Sequence, residues 1–151
     1  MDRHGPSAGV SHVGLCVSDL DAALRFYCDG LGFERRDRHE LSGDALPGLD
    51  RALEVDGPVT VVSQFIGLGP FAVELLWFAS RPAAGRPAAS RDQRGLTHLS
   101  LWVDDVEAVA TRASDCGGTV IGSTRANLGI DVLFLADPDG GRVELMALPA
   151  R

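Results

Sequence analysis

The chain has no lysine: all fourteen of its basic residues are arginine. Schiff-base chemistry on a lysine amine is thereby excluded. Cysteine is scarce and odd in number, with Cys16, Cys28 and Cys116 at no CxxC spacing. That argues against a disulfide framework or a zinc knuckle and fits reduced thiols in a cytoplasm, the expected location. Positive charge is outweighed, 14 Lys+Arg against 21 Asp+Glu for a net −7, so neither a nucleic acid nor an anionic membrane is an expected partner. No apolar run reaches the length of a bilayer crossing. Met1–Ser7 lacks the apolar core of a signal peptide and reads as a short disordered lead. What remains, 45% apolar and 23% charged over 151 residues, is the composition of one globular domain, or of two small modules sharing a core.

The chain says almost the same thing twice. Gly9–Asp19 reads GVSHVGLCVSD and Gly95–Asp105 reads GLTHLSLWVDD; at one constant offset His12 falls on His98 and Asp19 on Asp105. The ends answer each other too, Val73-Glu74-Leu75-Leu76 against Val143-Glu144-Leu145-Met146. Each half therefore opens with a histidine on a strand-like run and closes with a glutamate on another.

In the first half, Val10–Val17 alternates as a half-buried strand does. Ser18-Asp19 offers a helix N-cap, and Leu20, Ala23, Leu24 and Tyr27 follow at helical spacing until Gly30 or Gly32. Strands are expected at Phe33–Arg38, Val59–Ile66 and Phe71–Phe78. Leu41, Leu46, Leu49 and Leu53 suggest a short amphipathic helix within residues 40–56, interrupted by Pro47. Residues 80–94, with two Arg-Pro pairs, read as an extended linker. The second half repeats the order: strand Leu96–Val103, cap Asp104-Asp105, helix stripe Val106, Val109, Ala110 and Ala113, stop at Gly117-Gly118, strands Thr119–Ile121 and Ile130–Leu135, the turn Asp137–Gly141, and strand Arg142–Leu148. The expected organisation is one domain of class α+β: two tandem βαβββ modules, residues 9–79 and 95–149, building a curved, mostly antiparallel sheet.

Strand parity then sorts the side chains. His12, Gly14 and Cys16 share a face; so do His98, Ser100 and Trp102, Ala72, Glu74 and Leu76, and Arg142, Glu144 and Met146, while the aliphatic residues point the other way. If the sheets curve together, His12, Glu74, His98 and Glu144 converge on one concave site. Two imidazoles and two carboxylates form a mixed nitrogen–oxygen set for a first-row divalent metal, with positions left for water or substrate. A lone strand histidine is more often a hydrogen-bonded structural residue; it is the duplication of both histidine and glutamate that favours a metal. Cys16, Ser100, Trp102 and Met146 would line the substrate pocket. His4 and His39 have no repeat partner and read as solvated surface residues.

The paired modules, the openings SHVGLCVSDLDAALRFYCDGLGF and THLSLWVDDVEAVATRASDCGG, and the closing FLADPDGGRVELMAL resemble the vicinal oxygen chelate superfamily. That group includes glyoxalase I, methylmalonyl-CoA epimerase, extradiol dioxygenases and the fosfomycin and bleomycin resistance proteins. The resemblance implies a metal on His12, Glu74, His98 and Glu144, be it Ni, Co, Zn, Mn or Fe, in a site built within one chain or across a swapped homodimer. It implies a lyase, isomerase or epimerase that moves a proton next to a carbonyl, Glu144 or Glu74 carrying it. A second base, as in the epimerases, would precede the third strand, at Glu40 or Asp44. The alternatives are an iron(II) extradiol dioxygenase on His12, His98 and Glu144, in which Glu74 would be an extra carboxylate, and a small-molecule binding protein without turnover.

Overall fold

Two aspartates start the helices. Asp19 and Asp105, at equivalent positions of the repeat, are both extended and each accepts a hydrogen bond from the backbone N–H three residues on, at Ala22 and Ala108 (2.9 Å in both), so each satisfies an orphan donor of the first turn. The computed structural model describes residues 9–148; the Met1–Ser7 lead, His4 and residue 149 lie outside them. Strand β1 (Val13–Cys16) leads into α1 (Leu20–Leu24), which widens into a π-helical segment over Arg25–Gly30. Then come β2 (Glu34–Ser42), α2 (Leu49–Ala52), β3 (Thr60–Leu68) and β4 (Phe71–Phe78). The second half runs β5 (Leu99–Val103), α3 (Val106–Asp115), β6 (Thr119–Asn127), β7 (Asp131–Ala136) and β8 (Arg142–Ala147).

Each half is βαβββ, but the strands form two four-stranded sheets, ordered β1-β4-β3-β2 and β5-β8-β7-β6. In each, the first strand runs parallel to the last, and the other neighbours are antiparallel. The helix foreseen within 40–56 shrinks to the single turn of α2. Leu41 belongs instead to β2, paired with Val61, and Gly48 precedes the turn with a φ of 90° that suits glycine.

The aliphatic faces meet through the helices. Val73, Leu75, Val143 and Leu145 are fully buried with Phe26, Tyr27 and Ala113 in one cluster drawn from both halves. The helices clasp each other: Arg25 donates to the carbonyl of Asp115 (2.8 Å), and Arg112 to that of Gly30 (2.7 Å). Each guanidinium thus satisfies a carbonyl at the end of the other module's helix. A further tie comes from the turn before β8. Tyr27 donates its phenol to the buried Asp137 (2.7 Å), and Ser18 donates its amide and hydroxyl to Asp139.

Candidate metal centre

The sheet registers set four side chains in two pairs. Glu74 lies beside Gly14 on one side and Phe65 on the other; Glu144 lies beside Ser100 and Phe134. The His12 Nε2 stands 3.1 Å from Glu74 Oε2, and the His98 Nε2 3.4 Å from Glu144 Oε2. Both glutamate side chains are under one-fifth exposed, and both histidine side chains about one-third.

Further neighbours, of which only Ser100 was foreseen, complete the pattern. A hydroxyl residue precedes each histidine and meets its Nδ1: Ser11 Oγ at 3.0 Å and Thr97 Oγ1 at 2.8 Å. With Nδ1 engaged, Nε2 is the nitrogen that faces the carboxylate. Each ring also stands edge-on to a phenylalanine, His12 on Phe65 and His98 on Phe134, with centroids 5.2 Å apart in both cases. Each carboxylate has its own serine. Ser100 donates to Glu144 Oε2 at 2.7 Å from β5, whereas in the first module Gly14 occupies that place and Ser63 donates to Glu74 Oε1 at 2.5 Å from β3. The dipeptides Ser11-His12 and Thr97-His98 are a sequence signal that could have revealed the hydroxyl backing. Ser63 carried none, because only strand pairing brings it to Glu74.

Two neighbouring ligands of one divalent ion, each bound at roughly 2.0–2.2 Å, are separated by about the spacing found in each pair. Imidazole beside carboxylate is also the donor chemistry such ions accept. Each pair therefore fits two ligand positions. The pairs themselves do not converge: among the described residues, no group of three or more His, Cys, Asp or Glu side chains could hold a metal. They belong to different sheets, and the sheets meet on their helix sides.

The expected pocket residues divide by module. Ser100 touches Glu144 directly. Trp102 and Met146 pair with each other in the next row of the second sheet, where Trp102 is 52% exposed. Cys16 holds the equivalent place in the first sheet, beside Leu76; burial, and then the charge of Asp139, push its thiol pKa up, so it is no ready nucleophile. A cavity of about 390 Å³ lies between the modules beneath residues 83–88. It is lined by the aliphatic Val13, Leu15, Val73 and Leu99 and also by Cys16, Thr97 and His98, so it reaches the imidazole of the second pair. Glu40 is drawn off by Arg38 (3.1 Å), and Asp44 sits in the turn after β2. His39 is exposed as expected, but it lies on the Glu74 face of its sheet, with its ring 6.4 Å from that of Phe65.

Comparison with known proteins agrees with this fold. Residues 9–145 match the family model described as the glyoxalase/bleomycin resistance protein/dioxygenase superfamily. A 2-epi-5-epi-valiolone epimerase from Actinomyces is 32% identical over 95% of this chain and 81% of its own length. A probable lactoylglutathione lyase from Synechocystis is 26% identical over 89% and 92%. Among solved structures, a glyoxalase family protein from Bacillus cereus superposes with a TM-score of 0.80 over 97% of this chain and 98% of its own, at 18% identity. Glyoxalase I from Zea mays gives 0.64 over 92% and 44%, at 22% identity. The last two likenesses concern the fold, while the family rests on the match along most of the chain: this protein belongs to the glyoxalase/bleomycin resistance protein/dioxygenase superfamily.

Proposed function

We propose that the protein is a divalent-metal-dependent enzyme that moves a proton on a carbon next to a carbonyl, as a lyase, isomerase or epimerase. The observation that carries this reading is the duplicated His–Glu pair, each with its hydroxyl-backed imidazole and serine-bonded carboxylate. The names of the two relatives, an epimerase and a lactoylglutathione lyase, support it. We further propose that a second copy of the chain completes the centre, so that His12 and Glu74 of one copy face His98 and Glu144 of the other. Each sheet ends on the strand that follows its histidine, β1 or β5, and an unpaired strand edge is a surface for a second chain.

His12, Glu74, His98 and Glu144 would hold the metal. When bound, the metal supplies a positive charge that stabilises the oxyanion developing on the substrate carbonyl. The chain's own residues divide the remaining work. Ser63 occupies one oxygen of Glu74 and His12 faces the other, so Glu74 is held as a ligand. Ser100 and His98 both address Oε2 of Glu144, which leaves Oε1 without a partner among the described residues. Glu144 Oε1 is the atom placed to take the proton. A carboxylate in both modules weighs against the dioxygenase alternative, whose triad would leave Glu74 as an extra anion where oxygen needs room.

The test is to load the metal-free protein with Ni, Co, Zn or Mn in deuterated buffer. Proton exchange is then followed by NMR on 2-epi-5-epi-valiolone and on the glutathione hemithioacetal of a 2-oxoaldehyde. Metal-dependent exchange on either substrate is expected; its absence on both would overturn the reading.

A further inference from the structure

We infer that His39 is a second proton-transfer group of this site, working on the face of the substrate opposite Glu144, and that the reaction is therefore an epimerisation at a stereocentre beside a carbonyl. The inference rests on the proposed function above, and on four observations that the metal ligands do not use.

The first is a β-bulge that aims His39. Glu34 and Arg35 pair with Gly67 and Ile66, but from Arg38 onward the register has slipped by one: Arg38 pairs with Gln64 and His39 with Ser63. Continued without the slip, the pairing would put His39 opposite Val62, on the buried aliphatic face. The inserted residue turns it onto the Glu74 face instead, as bulges beside functional sites commonly do. The bulge is also secured. The amide of Gln64, only 4% exposed, donates to the carbonyls of Arg36 (3.0 Å) and Asp37 (3.4 Å).

The second is the row of side chains that His39 joins. Register places Cys16, Leu76, Ser63 and His39 side by side across the first sheet. The equivalent row of the second sheet is Trp102, Met146, Val132 and Ala126. The duplication is thus broken where a substrate would lie: one wall ends in an imidazole, the other is apolar throughout. The third is spacing. Glu74 and His39 stand two strands apart, roughly 10 Å, with Phe65 between the two histidines as a floor. The fourth is availability. Both oxygens of Glu74 are engaged, whereas His39 is an imidazole on the same face with no hydrogen-bond partner among the described residues. Imidazole can both give and take a proton near neutral pH.

The proton balance closes. The carbon beside the carbonyl loses its proton to Glu144, and the C–H electron pair becomes the enolate double bond as the carbonyl oxygen takes the charge. His39, as imidazolium, then protonates that carbon from the other side; the C–H bond re-forms with inverted configuration and the carbonyl is restored. Glu144 returns its proton to solvent and His39 recovers one. No oxidant or co-reactant is needed.

The experiment compares the metal-loaded wild type with His39→Ala and His39→Gln on 2-epi-5-epi-valiolone in deuterated buffer, following isotope wash-in and inversion separately. For both variants we expect inversion to fall roughly 100-fold or more, with wash-in within about threefold of wild type and metal content unchanged. Inversion and wash-in falling in parallel, or neither falling, would overturn the role of His39. So would a wild type that exchanges the proton without inverting the centre, which leaves the proposed function intact. A wild type with no metal-dependent exchange on this substrate would also overturn it, and would remove the proposed function as well only where the hemithioacetal likewise fails to exchange.

Discussion

Tyr27 is the chain's single tyrosine, and its hydroxyl is buried against Asp137. Burial, then the neighbouring charge of Asp137, push the phenol pKa far above its ordinary value; burial likewise raises the carboxyl of Asp137. A folded-state pKa raised above the unfolded one gives stability that is present below the unfolded value, about pH 10 for tyrosine, and lost as pH rises beyond it. Lysine, which would otherwise titrate in the same range, is absent. Tyrosinate absorbance is therefore expected to appear only with unfolding, in one transition followed jointly by ultraviolet absorbance and circular dichroism. Tyr27→Phe should blunt the alkaline loss while lowering stability at neutral pH by about 1.5–3 kcal/mol, the cost of one hydrogen bond to a charged group. Tyrosinate forming in the folded state would contradict this. Ser63 offers a second residue-scale expectation. Ser63→Ala frees Oε1 of Glu74 and should weaken metal binding by about tenfold with the fold unchanged, read by competition with a chelating dye; equal affinity would mean that the serine does not orient the ligand.

The helices were legible because their signals are local: an aspartate cap before each, and Gly117-Gly118 after the second. The stop is realised in full. Gly117 adopts a φ of +97°, Gly117 N–H bonds Ser114, and Gly118 N–H bonds Ala113 at 2.9 Å, a Schellman end. Packing adds a demand that local rules do not state. A Cβ on Gly118 would stand 2.3 Å from the Phe26 ring and 3.0 Å from the Ala113 carbonyl. Gly118→Ala should cost about 2–3 kcal/mol by overpacking, while Gly122→Ala, with open space around it, serves as a near-neutral control; chemical denaturation would show the difference, and equal midpoints would refute it. The β2 region was harder to read. Leu41, Leu46, Leu49 and Leu53 mimic a helical stripe, but residues 40–42 gain more as an edge strand on β3. The bulge within β2 was invisible, because a register slip is defined by the partner strand and not by the strand's own alternation. His39, without a repeat partner, read as a surface residue, and the candidate second bases Glu40 and Asp44 came from the resemblance alone; the register puts Glu40 on the other face from His39.

At the scale of the whole molecule, the sequence carried the two His–Glu pairs but not their relation. Each pair is fixed by strand register within one module, which alternation and repetition reveal. Whether the pairs meet depends on how the modules pack, and the contact that decides it is a helix–helix clasp of Arg25 on Asp115 and Arg112 on Gly30, which no periodicity announces. With the clasp holding the sheets helix side to helix side, a four-ligand centre requires a second copy, and mixing crippled chains tests that requirement. A His12→Ala chain and a His98→Ala chain are each expected to lose tight metal binding alone. Unfolded together in equal amounts and refolded, half of the dimers pair unlike chains; in these, one centre lacks both histidines and the other lacks neither. Metal content and proton exchange should therefore recover to about a quarter of the wild-type value per chain. If all four ligands instead met within one chain, every centre in the mixture would still lack a histidine and nothing would be regained. Recovery thus distinguishes a shared centre from a private one without knowledge of the natural substrate.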